Sequence, residues 1–116
     1  SIEEILRYKS LLIYYMKEKE IFKDHNITLG QLAKEISITP HLLSQIINEQ
    51  FSHNFNDFVN SYRVEEARMM IADPVKNNLT IASIAYDCGF NTLSAFNIAF
   101  KKFTGLTPSQ FRNNQV

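Results

Sequence analysis

The sequence predicts an all-α fold, with seven helices arranged as two similar halves that a long central helix joins. Apolar residues recur at the three- and four-residue spacing of amphipathic helices, and no segment alternates as a strand does. A later stretch of the chain also repeats an earlier one at a fixed offset. With 116 residues, of which 45% are hydrophobic, the chain is long enough to bury a core.

Two helices are predicted before the first tight turn. The first covers residues 3–24, where apolar residues follow one helical face. The second covers residues 28–36. Thr28 and Gln31 stand three residues apart, the spacing of a capping box in which each side chain bonds the other residue's backbone N–H. This box predicts where the second helix begins.

The third helix covers residues 40–49 and follows a turn at Ser37 and Ile38. Thr39 is a suitable N-cap, because a threonine hydroxyl can accept a hydrogen bond from a first-turn N–H. Pro40 fits the first helical turn, where no backbone donor is needed. These two residues together predict the start of the third helix.

The central helix covers residues 56–72, with Asn56 as its N-cap. Asp73 and Pro74 end it, because a proline disfavours helical geometry in the residue before it. Residues 76–79 are a polar connector to the second half of the chain.

The second half then repeats the pattern of the first. Up to the turn the matching residues are 52 positions apart: Thr28 with Thr80, Leu29 with Ile81, Leu32 with Ile84, Ala33 with Ala85, Ile36 with Cys88, and Ile38 with Phe90. One extra residue in the second turn lengthens the offset to 53, which pairs Leu43 with Phe96 and Ile47 with Phe100. The chain therefore contains two copies of one structural motif.

Each copy consists of a short helix, a tight turn and a second short helix, over residues 28–49 and 80–103. This is a helix-turn-helix, whose second helix fits the major groove of B-form DNA. A seventh helix follows, because Gly105, Thr107 and Pro108 supply a turn, an N-cap and a first helical position. The sequence thus predicts two helices that could read base pairs.

The second helix of the first copy has an apolar and a polar face. Leu43, Ile46 and Ile47 point inward by their spacing. The residues on the opposite face all have side chains that can donate or accept hydrogen bonds, and they are His41, Ser44, Gln45 and Asn48. They are candidates for base reading, and the alternative is a polar face that only contacts solvent.

The second helix of the second copy has a less polar outer face. Its predicted inward residues are Phe96, Ala99, Phe100 and Phe103. Its outward candidates for base reading are Leu93, Ser94, Asn97 and Ile98. Leu93 and Ile98 either contact thymine methyl groups or complete the core, and the spacing leaves both alternatives open.

The formal net charge of zero counts against nucleic-acid binding, but the charges are unevenly distributed. From residue 88 onward the only charged side chains are Lys101, Lys102 and Arg112, all basic. Lys101 and Lys102 are candidate phosphate contacts, and Thr39 and Asn91 are two further candidates. A pair of solvated charges is the alternative for the lysines.

Several other functions are not indicated. Cys88 occupies the position of the apolar Ile36 in the other copy, which predicts a buried thiol. The three histidines are scattered, so no metal site, cofactor or catalytic constellation is expected, and the chain is not predicted to be an enzyme. No apolar run predicts membrane insertion, and we expect a cytoplasmic location. Entry at Ser1 without a methionine predicts a fragment of a longer protein.

The segment "IASIAYDCGFNTLSAFNIAFKKFTGLTPSQFR" resembles the C-terminal signature of the AraC/XylS family of transcription regulators. The matching residues are Ile84, Ala85, Cys88, Gly89, Phe90, Ser94, Phe96, Phe100, Lys101, Lys102, Gly105, Thr107, Pro108 and Arg112. The earlier segment "LAKEISITPHLLSQIINEQFSHNFNDFVNSYRVEEA" resembles the first unit of the same family, in versions from Bacteroidetes-type bacteria. The resemblance covers residues 8–113.

The resemblance implies a DNA-binding domain of two homeodomain-like three-helix units in tandem. In the family the third and sixth helices enter neighbouring major grooves, and the fourth helix holds them apart. The implied base-reading positions are His41, Ser44, Gln45, Leu93, Ser94 and Ile98. Leu93 and Ile98 depart from the family pattern, which often has a polar or basic residue at the first position and commonly arginine at the second.

The resemblance also implies partners. They are double-stranded DNA and RNA polymerase. The domain would be the output domain of a larger bacterial regulator, such as a hybrid two-component or membrane-anchored protein. The full-length regulator could be a dimer. The alternative from another class is a helical protein-interaction module that has lost DNA binding. The zero net charge and the apolar Leu93 and Ile98 favour that alternative.

Overall fold

The structure, a computed structural model, describes residues 1–115. This part of the chain contains seven α-helices and no strand, which confirms the predicted all-α class. The α-helices are α1 (Ile2–Lys17), α2 (Leu29–Glu35), α3 (Pro40–Phe51), α4 (Phe55–Ala72), α5 (Ile81–Asp87), α6 (Leu93–Thr104) and α7 (Pro108–Asn113), and the short 3-10 helices are Ile21–Lys23 and Pro74–Lys76.

The chain forms two compact units, the first over residues 1–59 and the second from residue 60 onward. Helix α4 therefore contributes its first residues to one unit and the remainder to the other. Each unit has its own buried residues. Those of the first unit are Leu12, Met16, Phe22, Leu32, Ala33, Ile36, Leu43, Ile46, Ile47, Phe58 and Val59.

The first helix is shorter than the predicted range of residues 3–24, because α1 ends at Lys17. Glu20 then adopts a left-handed backbone conformation with φ of 52°, which an α-helix cannot contain. The 3-10 turn that follows still buries Phe22. The apolar spacing thus continues beyond the helix, and this continuation made the prediction wrong over its last seven residues.

The caps of α2 and α3 confirm the predicted starts of these helices. Thr28 Oγ1 accepts from Gln31 N, and Gln31 Oε1 accepts from Thr28 N, each at 3.1 Å. Thr39 Oγ1 accepts from Leu42 N at 3.1 Å, and Pro40 occupies the first turn of α3. These caps bond amide groups that have no partner within the helix.

The predicted cap of α4 is wrong by two residues. Asn54 Oδ1, rather than Asn56, accepts from Asp57 N at 2.8 Å, so α4 begins at Phe55. Both asparagines precede the same apolar segment, and only the backbone conformation distinguishes them. At the other end α4 stops at Ala72 as predicted, and Asp73 caps the 3-10 helix that follows.

The second unit encloses an aromatic and aliphatic core. Its buried residues are Val64, Ala67, Ile71, Ile84, Ala85, Cys88, Phe90, Phe96, Ala99 and Phe100. The Cys88 thiol is fully buried, with Sγ 3.7 Å from Met70 Sδ, which confirms that it is a packed side chain. The Arg63 guanidinium of α4 lies 5.6 Å from the centre of the Phe90 ring, within the range of a cation–π contact.

The turn between α2 and α3 is a Schellman motif. Ser37 N donates to Lys34 O at 3.2 Å, and Ile38 N donates to Ala33 O at 3.0 Å. This pattern bonds carbonyl groups at the end of a helix and needs a left-handed residue after the helix. Ser37 provides it with φ of 61°, a conformation that costs energy in any residue with a Cβ.

The turn between α5 and α6 repeats this motif with glycine in the strained position. Gly89 N donates to Tyr86 O at 3.0 Å, and Phe90 N donates to Ala85 O at 3.1 Å. Gly89 has φ of 106°, which glycine adopts without a Cβ clash. The sequence repeat therefore corresponds to a repeat of backbone hydrogen bonds.

We expect alanine to have opposite effects at two glycines. Gly89→Ala should lower the free energy of unfolding by about 1 kcal/mol or more, because it puts a Cβ on a left-handed residue. Gly30→Ala, inside α2, should raise it by about 0.5–1 kcal/mol, because alanine favours a helix and no atom lies within 4 Å of the new Cβ. Denaturant unfolding measures both, and the same sign for the two variants would contradict the assignment.

Candidate nucleic-acid interface

The outer face of α3 contains the predicted polar residues. Leu43, Ile46 and Ile47 are buried, which confirms the predicted inner face. On the opposite side His41, Gln45 and Asn48 are exposed, whereas Ser44 is half-buried. The helix thus presents an imidazole and two side-chain amides to solvent, with the Ser44 hydroxyl partly covered.

Two hydrogen bonds organise this face. Asn48 Nδ2 donates to the backbone oxygen of Ser44 at 2.9 Å, which engages one amide hydrogen with the helix itself. Gln45 Nε2 donates to Glu49 Oε1 at 3.1 Å. Glu49 is exposed and lies one helical turn after its partner Gln45, so it borders the same face, although it was not among the predicted site residues. The spacing of four residues between Gln45 and Glu49 is the sequence signal for this pair.

The outer face of α6 is more apolar. Ser94 and Asn97 are exposed, and Leu93 and Ile98 are 38% and 69% exposed. The alternative that Ile98 completes the core is therefore wrong. Leu93 is more covered than Ile98. An exposed branched side chain on this face is a suitable contact for a thymine methyl group.

A threonine begins each of the two helices. Thr39 Oγ1 accepts from Leu42 N, and Thr92 Oγ1 accepts from Ala95 N, both at 3.1 Å. Each hydroxyl keeps its hydrogen as a donor, which a phosphate oxygen can accept. The predicted candidate in the second unit was Asn91, which is exposed and directly precedes this cap. Thr92 was not among the predicted candidates, although the repeat offset of 53 residues pairs it with Thr39.

Basic side chains lie near the outer face of α6. Lys101 and Lys102 are exposed, and Lys102 Nζ is 5.8 Å from the centre of the Phe103 ring. A shallow open depression is lined by Asn97, Ile98, Lys101, Lys102 and Thr107, which brings four predicted residues together. The third basic residue of this region is less available. Arg112 is half-buried, and its buried Nη2 atom has no hydrogen-bond partner within residues 1–115.

The two units carry opposite net charges. The first has six lysines and arginines against eight aspartates and glutamates, and the second has six against four. The first unit therefore has a formal charge of −2 and the second of +2. Attraction to phosphate is consequently stronger for the second unit, whereas α3 has an acidic residue on its outer face.

Comparison with known proteins decides the family. A family model described as a helix-turn-helix domain matches residues 32–114. The chain belongs to the AraC-type helix-turn-helix family. It is 30% identical over 92 residues to the transcriptional regulatory protein YesN of Bacillus subtilis, an alignment that covers 78% of this chain and 24% of YesN.

Two solved structures of response-regulator domains have similar folds. One is the C-terminal domain of AraT, a response regulator from Geobacillus stearothermophilus, with a TM-score of 0.77, 27% identity and coverage of 97% of this chain and 86% of that one. The other is the C-terminal domain of the two-component response regulator yesN from Fusobacterium nucleatum, with a TM-score of 0.78, 26% identity and coverage of 91% and 98%.

The family assignment identifies the chain as a DNA-binding regulatory domain rather than an enzyme. Among residues 1–115, no group of three or more histidine, cysteine, aspartate or glutamate side chains could hold a metal ion. No helix in this part of the chain has the length and apolar character needed to cross a membrane. The resemblance to Bacteroidetes-type versions stays a prediction.

We expect Ile98→Arg to leave stability almost unchanged and to strengthen duplex binding. Ile98 is 69% exposed, so the guanidinium would remain in solvent until it meets phosphate or guanine. The gain should be about 1 kcal/mol, with a salt dependence steeper by up to about one counterion. Val75→Arg is the control, because Val75 is 85% exposed in the same unit but outside α6. A salt titration of binding and thermal melting test the prediction, and equal gains in both variants would contradict it.

Proposed function

We propose that this domain binds specific duplex DNA sequences and regulates transcription as the output domain of a larger bacterial regulator. The observation that carries the proposal is the outer face of α3, where hydrogen-bonding side chains are exposed on the second helix of a helix-turn-helix. A helix of this kind fits the major groove, where each base pair presents a distinct pattern of donors and acceptors.

In this proposal α3 provides most of the hydrogen-bonded base contacts. Gln45 carries a donor and an acceptor on one amide, which suits the N6 and N7 atoms of adenine. His41 lies in the first turn of α3, from which residues of recognition helices reach base edges. Asn48 retains its carbonyl oxygen as an acceptor, and the half-buried Ser44 lies between these residues.

Helix α6 provides a different kind of contact. We propose that Leu93 and Ile98 pack against thymine methyl groups, while Ser94 and Asn97 form hydrogen bonds with base edges. Support comes from the exposure of Ile98 and from the position of the four residues on one outer face. The second unit should therefore prefer a sequence unlike that of the first.

Phosphate contacts orient the domain without specifying sequence. We propose Lys101 and Lys102 as charged contacts, and the residues before each helix, Thr39, Asn91 and Thr92, as hydrogen-bonding ones. The positive charge of the second unit supports its larger share of these contacts.

The chain spans 24% and 12% of the lengths of the first two curated relatives that it matches, YesN and YtdP of Bacillus subtilis. A role as the output domain of a longer regulator fits these proportions. This proposal also includes recruitment of RNA polymerase and dimerisation of the full-length protein. It places the domain in the cytoplasm, where a bacterial chromosome lies.

One observation favours the alternative of a protein-interaction module, namely the acidic excess of the first unit. Selection of bound sequences from random duplexes separates the two functions. Sequence-specific binding should recover two unlike elements with affinity that falls steeply with salt, because phosphate contacts release counterions. Recovery of no common sequence, or binding that does not depend on salt, would refute the proposal.

We expect Gln45→Ala to relax the base preference at one or two base pairs. Loss of a good bidentate contact costs about 1–3 kcal/mol of discrimination. Asn26→Ala is the control, because it removes an exposed amide from the loop before α2. Repeated selection with each variant measures the effect, and an unchanged preference in Gln45→Ala would exclude Gln45 as a base-reading residue.

Lys101→Gln should weaken binding to all duplexes to a similar extent and leave the base preference unchanged. The slope of log affinity against log salt should fall by about 1, because one phosphate contact is lost. Lys76→Gln removes the same charge from the 3-10 helix of the second unit and is expected to change the slope less. A change of base preference in Lys101→Gln would contradict a role limited to phosphate.

A further inference from the structure

We propose that Glu49 determines the base preference of α3, by orienting Gln45 and by rejecting bases that present no amino group in the major groove. This inference rests on the proposed DNA binding and concerns the same helix face. Glu49 follows Gln45 by one helical turn, and both side chains are exposed. The hydrogen bond of 3.1 Å from Gln45 Nε2 to Glu49 Oε1 joins them into one pair.

The pair has a defined orientation because a carboxylate only accepts hydrogen bonds. The Gln45 amide must therefore turn its nitrogen toward Glu49, and its oxygen points away. One N–H and the oxygen remain for a base, which are the two groups that adenine N7 and N6 require. Glu49 thus acts on Gln45 as a positioning residue, because it removes the flipped orientation of the amide.

The carboxylate also has its own preference in the major groove. The hydrogen-bond donors on base edges there are the amino groups of adenine and cytosine, whereas guanine N7 and O6 and thymine O4 are acceptors. A carboxylate that faces an acceptor loses water and gains no hydrogen bond. The pair of Gln45 and Glu49 should therefore favour adenine or cytosine and disfavour guanine or thymine on the strand it contacts.

The charge of Glu49 adds a second effect. Within residues 1–115 no ion pair neutralises this carboxylate. Its repulsion of phosphate weakens binding to every duplex, and only a base that donates to it offsets the loss. An acidic residue on the reading face therefore lowers non-specific binding more than specific binding, and specificity rises at the expense of affinity.

Glu49→Gln tests the inference, because it keeps the shape of the side chain and removes the charge. After selection of a preferred site with the unaltered domain, the affinity of each variant is measured for that site, for its guanine and thymine substitutions, and for an unrelated duplex. Discrimination at one base pair should fall by about five- to hundredfold. Affinity for the unrelated duplex should rise about threefold or more.

Two further variants separate the effects. Glu18→Gln removes the same charge from an exposed position after α1 and should leave discrimination unchanged. Glu49→Asp keeps the charge but is too short to hold Gln45 in the same way. It should keep the low affinity for the unrelated duplex and relax the base preference.

The outcomes distinguish this inference from the proposed function. If the unaltered domain binds no duplex in a salt-dependent way, both are refuted. If it binds and Glu49→Gln keeps full discrimination, only the role of Glu49 is refuted. If Glu18→Gln raises the affinity for the unrelated duplex as much as Glu49→Gln does, the rise comes from the total charge of the domain. That result would also refute the role of Glu49. Thermal melting of each variant shows that binding is compared between folded proteins.

Discussion

Each unit depends on the hydrogen bonds of one short turn. Only four residues separate Glu35, the last residue of α2, from Pro40, the first of α3, so the chain must change direction without leaving backbone groups unpaired. The Schellman bonds satisfy carbonyl groups of α2, and the Thr39 hydroxyl satisfies an amide of α3. Because this turn determines which residues of α3 face the core, it also determines which side chains remain exposed.

Much of the fold could be predicted because helix starts depend on local chemistry. The capping box of Thr28 and Gln31 and the cap at Thr39 involve residues three positions apart, which a sequence shows directly. The end of α1 could not be predicted in this way. Phe22 continues the apolar spacing, but it becomes buried through a left-handed Glu20 and a 3-10 turn, a conformation that periodicity does not encode.

The exposed face of the candidate interface, like the fold, was predicted in part. The outward position of Gln45 follows from helical spacing and agrees with the structure. Spacing left Ile98 open between the outer face and the core, and its exposure in the structure decides for the outer face. Thr92 and Glu49 were missed, although the repeat offset and the four-residue spacing were both visible. The base that each side chain contacts depends on where the duplex lies against the helix. No spacing rule within one chain contains that information.

The residues proposed to contact bases are largely separate from those that build the fold. Core side chains, caps and turns maintain each unit, whereas Gln45, Glu49 and Ile98 are exposed and cap no helix. Substitutions at these positions should change stability little. The outer face of each copy can therefore vary independently of the residues that maintain the fold. If the proposed function holds, a substitution on one of these outer faces would alter the DNA sequence that one unit prefers and leave intact both folds and the preference of the other unit.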